Sequence, residues 1–517
     1  MIRPLATLAF IAAASVAAAV PVSAQSSREP YPGFDAYVNT ALKTFDVPGA
    51  AIAIVRNDSV IYARGYGVRD IEKRSPVDER TLFAIGSASK AFTAASLAML
   101  VEEGKLRWDD RAAARLPGFE LNDPAATREL TIRDLLSHRS GLARGDLLWG
   151  AAMFDRREVL RRVRFLEPSW GFRSQFGYQN LMYMAAGEVV REVSGTSWED
   201  FVARRIFAPL AMSSSSTSIT ALASQSDVAS PHMRVDDTVR VVPWRNIDIV
   251  GPAGSINSHV LDMAQWVRLQ LGKGRYQGKQ IIRADLVEEM HTPHTIIRID
   301  TAQARLNPDT HFSSYGLGWF LQDYRGKKVV HHGGNIDGMS ALVAMLPDER
   351  FGMVILTNMN GTPLPTALMY RTFDAHLKAP PKDWSAEIHR NMQRQLARAR
   401  EAAQRRLAER VTGTKPSLAL ERYAGTYADS MYGQVKVTNE GGTLRMAMGA
   451  LYEGPLEHWH YDTFRANWVQ RHRGQSFVTF RLNASARVTG LEIEMGGGAI
   501  EFRRVPDATG RTAERAR

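Results

Sequence analysis

Strand-like and helical patterns alternate along the first part of the chain. Short apolar runs bounded by Gly, Pro, Asn and Asp lie at both ends of this region, and helical patterns fill the middle. The strand-like runs cover residues 50–55, 60–65, 315–322, 328–331, 341–346 and 352–357. This order predicts an α+β fold in which one antiparallel sheet joins the two ends, flanked by helices and a helical subdomain.

The helical patterns differ in how much of their surface is apolar. Residues 90–100 are apolar nearly all round, which predicts a buried helix. Residues 130–138 are predicted to form a helix with Thr131 as its N-cap. Residues 181–193 are predicted to form a second buried helix. The glycine-rich segments between elements are predicted to be turns, at residues 251–255 and 333–334.

The character of the sequence changes after residue 378. Residues 379–415 contain apolar positions at helical spacing among many arginines, which predicts a long linker helix with a narrow apolar stripe. The stripe could pair with another chain, but we favour packing on its own protein. Residues 416–506 alternate in short runs with Gly and Asn turns, which predicts a small β-barrel. Residues 507–517 are predicted to be a disordered tail.

Composition narrows the possible functions. The 517 residues are 44% hydrophobic and 23% charged, which is globular usage for two or three domains. The absence of cysteine from the sequence excludes disulfides and thiol chemistry. The formal charge is +11, but the arginines concentrate at 390–410 and in the tail, without a basic groove studded with aromatics. We therefore expect no nucleic-acid partner, and the composition leaves the oligomeric state open.

The first residues have the pattern of a secretory signal. Residues 1–24 combine Arg3, an apolar run and the small-residue site Val22-Ser23-Ala24, so the mature chain would begin at Gln25. The run is too short for a stable span, and an uncleaved anchor is the minority interpretation. We expect a periplasmic or secreted protein without stable membrane insertion after signal removal.

One short motif contains a candidate nucleophile and a candidate base. Ser87-Ala88-Ser89-Lys90 is the single Ser-x-x-Lys in the chain, and residues three apart at a helix start lie on one face within hydrogen-bonding reach. A serine hydroxyl becomes a nucleophile when a base takes its proton, and a buried lysine can be that base when it is neutral. An isolated motif of this kind more often marks a solvated helix start, but the apolar residues after Lys90 predict burial.

Several segments together resemble one family. They are 83–90 around Ser87, Leu136-Ser137-His138-Arg139-Ser140-Gly141-Leu142, Tyr178-Gln179-Asn180, and His331-His332-Gly333-Gly334 with Gly338. In this order they resemble the serine β-lactamase and DD-peptidase superfamily, specifically its class C-like branch of peptidases and esterases. The resemblance implies that residues 25–378 are a β-lactamase-like serine hydrolase domain and that residues 416–506 are lipocalin-like.

The resemblance also implies roles for individual residues. Ser87 would form an acyl-enzyme, with Lys90 as general base. Tyr178 would relay the proton if Lys90 lowers the pKa of its phenol, and Asn180 would orient the lysine and bind the substrate amide. The backbone N–H groups of Ser87 and Asn335 would form the oxyanion hole.

The third motif departs from true lactamases. Lactamases carry Lys-Thr-Gly or Lys-Ser-Gly there, and this chain has a histidine instead. Both His331 and His332 satisfy His-x-Gly; we favour His332, followed by Gly334, because its spacing to Gly338 fits the family better, and His331 would then point to the other sheet face. Without a fixed positive charge, the motif argues for amides or esters rather than carboxylate-bearing β-lactams.

Competing motifs leave alternatives open. Tyr37-x-Asn39, Ser255-x-Asn257 and His472-x-Gly474 fit parts of the same patterns, and order along the chain argues against them. Adjacent histidines rarely bind one ion, so we predict no metal, and nothing in the sequence calls for a cofactor.

The leading functional hypothesis is a secreted serine hydrolase that cleaves amide bonds of small peptides, with D-residues or other unusual linkages as candidates. A carboxylesterase with the same Ser-Lys-Tyr site is the alternative. A non-catalytic penicillin-binding or peptidoglycan-sensing protein is disfavoured, because Ser87, Lys90 and Tyr178 are all present.

Overall fold

A computed structural model describes residues 28–495 and 498–506. The proposed signal segment, residues 1–24, and the tail, residues 507–517, lie outside the described residues. Among residues 28–495 and 498–506, no helix is both long enough and apolar enough to cross a bilayer.

Fourteen of the described strands precede residue 358. They are β1 (Gly49–Arg56), β2 (Ser59–Gly67), β3 (Phe83–Ala84), β4 (His232–Val235), β5 (Thr238–Val241), β6 (Asn257–Ser258), β7 (Arg275–Tyr276), β8 (Lys279–Gln280), β9 (Thr295–Ile296), β10 (Ser313–Tyr315), β11 (Phe320–Tyr324), β12 (Lys327–Ile336), β13 (Met339–Leu346) and β14 (Phe351–Thr357). Eight of them form one antiparallel sheet in the order β2-β1-β14-β13-β12-β11-β10-β9. The sheet therefore joins the two ends of the region, which confirms the predicted fold class.

Helices lie before, between and after these strands. They are α1 (Phe34–Thr44), α2 (Lys90–Glu102), α3 (Ala112–Arg115), α4 (Pro124–Glu129), α5 (Ile132–Leu136), α6 (Leu147–Gly150), α7 (Arg156–Arg162), α8 (Asn180–Ser194), α9 (Trp198–Val202), α10 (Gly251–Gly254), α11 (Val260–Leu271), α12 (Ala284–Met290), α13 (Thr301–Leu306), α14 (Leu364–His376) and α15 (Trp384–Ala408). α5 begins with a capping box on Thr131, the N-cap read from the sequence.

The large sheet separates two apolar cores. On one face, α2, α8 and α11 pack in a core that includes Phe92, Trp266 and Leu356. On the other face, α1, α14 and the first turns of α15 cover a core that includes Phe351 and Trp384. α2 is buried from Lys90 through Leu100, as its all-round apolar pattern predicts.

Three local predictions are wrong. Residues 315–322 are not one strand, because the chain turns at 316–319 between β10 and β11. Residues 251–255 are mostly helical, as α10. Gly333-Gly334 is not a turn: β12 continues through both glycines to Ile336, and the turn follows at 337–338, where Gly338 has φ +85°.

The C-terminal part begins with α15, a helix of 25 residues. Its apolar stripe packs on its own protein only through Ile388 and Met392. Leu396 and Leu407, further along the same stripe, are 39% and 56% exposed.

The chain ends in a closed eight-stranded barrel. Its strands are β15 (Gly425–Asp429), β16 (Gly433–Glu440), β17 (Thr443–Met448), β18 (Tyr452–His460), β19 (Thr463–Asn467), β20 (Gln475–Leu482), β21 (Val488–Met495) and β22 (Gly498–Arg504). Alternating residues fill its interior with apolar side chains, which is why the sequence there has a period of two. The predicted C-terminal barrel is thus confirmed.

Candidate active site

Ser87 and Lys90 lie on one turn at the start of α2. Residues Gly86–Ser89 form a 3₁₀ turn, and the α-helix begins at Lys90, one turn later than the sequence suggests. Side chains three residues apart eclipse each other in 3₁₀ geometry. The lysine Nζ accordingly lies 3.1 Å from the serine Oγ.

Lys90 is completely buried, and its amine has three partners. Besides Ser87 Oγ, the Nζ atom lies 2.7 Å from Asn180 Oδ1 and 2.8 Å from the backbone oxygen of Ala253. Burial holds the pKa of the Lys90 ammonium well below its usual range; the charge of Asp146 acts in the opposite direction and that of Arg144 in the same direction.

These contacts define what the neutral amine can do. A neutral amine has two hydrogens and one lone pair. The amide and carbonyl oxygens of Asn180 and Ala253 accept hydrogen bonds only, so they take both hydrogens. The lone pair is left facing the hydroxyl of Ser87, which is the arrangement a general base requires.

Tyr178 lies beside this pair. Its ring centroid is 4.8 Å from Lys90 Nζ. Burial raises the pKa of the Tyr178 phenol above its usual value, although a hydrogen bond with Ser87 and the charge of Arg144 act in the other direction. The condition that Lys90 lowers this pKa is therefore not met, because burial outweighs nearby charge. The phenol is neutral at physiological pH and has a proton to donate.

Asn180 is the first residue of α8. The side chain of the N-cap residue Gln179 accepts a hydrogen bond from Leu181 N, which fixes the start of the helix. The Asn180 amide is held at both ends, because Oδ1 accepts from Lys90 and Nδ2 donates to Asp146 Oδ1 over 2.9 Å. Asp146 was missed by sequence reasoning, because residues 142–176 show no clean period.

β12 approaches the serine turn through glycine. A Cβ on Gly334 would lie 1.8 Å from Ile85 O and 2.9 Å from Ser87 N, and one on Gly86, which has φ +51°, would lie 2.8 Å from Asn335 N. Only residues without side chains allow this approach. It brings the backbone N–H groups of Ser87 and Asn335 to neighbouring positions, as the predicted oxyanion hole requires.

The two histidines of β12 have different surroundings. His332 is buried, and its Nε2 lies 2.8 Å from the hydroxyl of Tyr315, a residue that sequence reasoning missed. Burial lowers the pKa of His332 to about 3. His331 is partly exposed and stacks on Phe320, and burial lowers its pKa to about 4. Both imidazoles are neutral at physiological pH.

His138 completes an aromatic enclosure around the lysine. Its ring centroid lies 4.2 Å from that of Tyr178 and 4.5 Å from that of Tyr315. Its Nδ1 accepts a hydrogen bond from Gln179 N, and burial keeps the pKa of the imidazole well below its usual value. The residue entered the sequence argument only within a longer motif, and the structure shows that it packs against the site.

The competing motifs do not join this group. Tyr37 lies on α1, on the opposite face of the sheet, and its hydroxyl accepts from Ser385 N. Ser255 Oγ donates to the backbone oxygen of Thr217. His472 lies in the barrel. In residues 28–495 and 498–506, no three His, Cys, Asp or Glu side chains are grouped to hold a metal ion.

Known proteins share the two parts of this chain. Residues 34–376 match the family described as Beta-lactamase, and residues 409–504 match a domain of unknown function, DUF3471. The unguisins hydrolase of Aspergillus violaceofuscus is 30% identical over 436 residues, which are 78% of this chain and 76% of that protein. Protein flp of Staphylococcus aureus is 25% identical over 336 residues, 64% of each chain.

Solved structures share the fold. The octameric penicillin-binding protein homologue from Pyrococcus abyssi has a TM-score of 0.61 at 22% identity and covers 91% of this chain and 99% of its own. A D-stereospecific amidohydrolase from Streptomyces has a TM-score of 0.53 at 22% identity, over 65% of this chain and 98% of its own. The family match over residues 34–376, with the hydrolase that is 30% identical over 78% of this chain, shows that the chain belongs to the β-lactamase family and is a serine hydrolase.

Proposed function

We propose that this protein hydrolyses amide bonds of small peptides through an acyl-enzyme on Ser87. The observation that carries the proposal is the environment of Lys90: a fully buried amine, 3.1 Å from Ser87 Oγ, whose hydrogens are taken by two other acceptors. A neutral lysine in this position removes the serine proton as the hydroxyl attacks.

The proposed reaction follows from the positions of the side chains. Ser87 Oγ attacks the substrate carbonyl carbon, and its proton passes to Lys90. The oxyanion accepts hydrogen bonds from the N–H groups of Ser87 and Asn335; losing one such donor raises the barrier by about 3 kcal/mol. Tyr178, a neutral phenol, protonates the leaving amine and is reprotonated from Lys90. Water then enters and attacks the acyl carbon while Lys90 takes one of its protons. The bond between the acyl carbon and Ser87 Oγ breaks, the proton returns to Oγ, and the acid is released.

The polarity of the site argues against carboxylate-bearing β-lactams as substrates, and two related proteins support amides. His332 stands where lactamases have a lysine, and its pKa of about 3 leaves it uncharged at neutral pH. The motif therefore offers no fixed cation to a substrate carboxylate. Among the relatives, the unguisins hydrolase is 30% identical, and a D-stereospecific amidohydrolase shares the fold. From these two relatives we propose small peptides that contain D-residues as candidate substrates of this protein.

The proposed location is the periplasm or the outside of the cell. The support is the sequence of residues 1–24, with its basic start, apolar run and small-residue cleavage site. N-terminal sequencing of the protein recovered from a bacterial periplasmic extract tests this: mature chains should begin at Gln25.

Removing the serine hydroxyl tests the mechanism. Ser87→Ala should abolish both turnover and labelling by a fluorophosphonate, because the nucleophilic oxygen is gone and the turn is unchanged. Ser89→Ala, two residues away in the same turn, is the matched control and should still be labelled. Residual activity of Ser87→Ala within about tenfold of the parent contradicts the assignment.

A matched pair of substrates separates the peptidase from the esterase. We would compare kcat/KM for a D-alanyl peptide amide and the ester with the same acyl group. An amide hydrolase should keep the amide within about tenfold of the ester, because its site stabilises protonation of the leaving nitrogen. A loss of about 10³-fold on the amide favours the carboxylesterase instead. The L-diastereomers then test preference for D-residues.

A further inference from the structure

The loop before α6 carries a carboxylate that no step above uses. We propose that Asp146 is a positioning residue of the hydrolytic site, which fixes the side-chain amide of Asn180 in the orientation that keeps Lys90 facing Ser87. The inference rests on the proposed function of Ser87 and Lys90, and it adds a residue on which their geometry depends.

The contacts of Asp146 are specific. Its Oδ1 accepts from Asn180 Nδ2 and from Trp149 Nε1, both over 2.9 Å, and its Oδ2 accepts from Arg144 Nε over 2.6 Å. The side chain is only 26% exposed. Because donors from three residues hold both of its oxygens, the carboxylate has one position relative to α8.

The orientation of an amide needs such a partner. The two ends of the Asn180 amide have nearly the same shape, so packing alone hardly distinguishes them. A carboxylate accepts hydrogen bonds and donates none, so the NH₂ end must face Asp146 and the oxygen must face Lys90. A flipped amide would direct NH₂ at the lysine amine, and a hydrogen of Lys90 would lose its acceptor.

The charge of Asp146 also reaches the lysine. The groups that face Lys90 come from several elements: His138 after α5, Arg144 and Asp146 on the loop, Tyr178 and Tyr183 at α8, and His332 on β12. Burial keeps both histidines and both tyrosines neutral at physiological pH. Among these facing groups, Arg144 and Asp146 remain as fixed charges of opposite sign.

The test uses the rate at which a fluorophosphonate labels Ser87, which requires no known substrate. Asp146→Ala should slow labelling by about tenfold or more, because Asn180 can then flip. Asp146→Asn, which keeps an acceptor oxygen, should recover about fivefold or more of that loss. Asp285→Ala, an exposed carboxylate on α12, is the matched control and should label like the parent.

The pH profile gives a readout that a merely structural role would not move. Loss of the Asp146 charge lowers the Lys90 pKa, so in Asp146→Asn the acid limb of labelling should move to lower pH. Loss of the Arg144 charge raises that pKa, so in Arg144→Gln the limb should move to higher pH. Shifts of the same sign, or none, overturn the inference, even if Asp146→Ala fails to fold.

The two proposals fail in different ways. If the parent protein is not labelled, or Ser87→Ala is still labelled and active, the proposed function is wrong. If the parent is labelled on Ser87 and Asp146→Ala, with an unchanged melting temperature, labels within about threefold of the parent, only the role of Asp146 is wrong.

Discussion

The surroundings of Lys90 and the interior of the barrel are both packed with aromatic rings, yet they differ in the polar groups that they enclose. Around Lys90, the rings of Tyr178, Tyr183 and Tyr315 lie beside buried histidines. Inside the barrel, Tyr423 and Phe480 pack with centroids 4.9 Å apart, and the apolar interior described for residues 423–502 includes no Lys, Arg, His, Asp or Glu.

The difference distinguishes the interior that carries the catalytic groups from the interior that only stabilises the fold. Burying an ionisable group costs free energy unless partners compensate, and such groups persist where their shifted pKa is used. The catalytic domain buries Lys90 and two histidines, His138 and His332, in a single enclosure. The barrel interior follows the rule of a stable core, in which apolar side chains fill the space. We therefore expect substitutions in the two interiors to affect different properties.

The largest effect should come from Lys90→Met. Methionine has a similar volume but no amine, so turnover should fall by about 10³-fold or more. The free energy of unfolding should change by less than about 2 kcal/mol. The stability gained by no longer burying an amine offsets the stability lost when two buried acceptors have no donor. Kinetics and denaturant titration measure both quantities.

Lys328→Met is the control for this change, since Lys328 is an exposed lysine on β12. It should leave both activity and stability close to the parent values. If Lys90→Met kept turnover within about tenfold, the buried amine would not be the base, and the contrast between the two interiors would lose its functional meaning.

Phe480→Ala should produce the converse result. Phe480 is buried in the barrel between Tyr423 and Phe464, so the cavity should cost about 3–5 kcal/mol of barrel stability. The kcat of the folded enzyme should stay within about twofold, because no ionisable group of the site is touched. Tyr461→Ala, at an aromatic residue that is 54% exposed, is the control and should cost about 0.5 kcal/mol or less.

The smallest effect concerns acid. His291 is buried against Trp319 on the catalytic side, and burial lowers its pKa to about 3. Below pH 6.5 the unfolded state binds a proton that the folded state does not bind, so stability falls as the pH falls, by about 1.4 kcal/mol per pH unit for this residue. His291→Gln should reduce the slope of unfolding free energy against pH between 6.5 and 4.

The same titration sharpens the comparison. The barrel buries no histidine among its described residues, so its own unfolding transition should vary little over this pH range. His311→Gln, at an exposed histidine, is the control and should leave the slope unchanged. An equal slope in His291→Gln and the parent would show that this ring is protonated in the folded state.

The fold was predictable where the pattern is local. The all-apolar stretch after Lys90 is a buried helix, and Thr131 is an N-cap, because both properties depend on neighbours in sequence. Gly333-Gly334 was misread as a turn. Two adjacent glycines also occur where a strand needs room for another backbone, and the partner that needs it, the turn at Ser87, is far away in sequence.

The residues of the site also differ in how far their contacts could be predicted from the sequence. Ser87 and Lys90 are three residues apart, so their contact follows from helical spacing. The hydrogen bond from Asn180 to Asp146 joins residues 34 apart in sequence, across a segment with short helices and no clean period. The raised pKa of the Tyr178 phenol depends on burial from all sides, which spacing does not reveal.

The complete burial of α2 has a consequence for how this enzyme can be altered. From Lys90 to Leu100 every side chain touches packed neighbours, so any change there disturbs the core before it reaches a substrate. New selectivity is more readily gained from loop positions among residues 142–176 other than Arg144 and Asp146, because loops tolerate replacement. Libraries for directed evolution should diversify those loop positions and leave α2 unchanged.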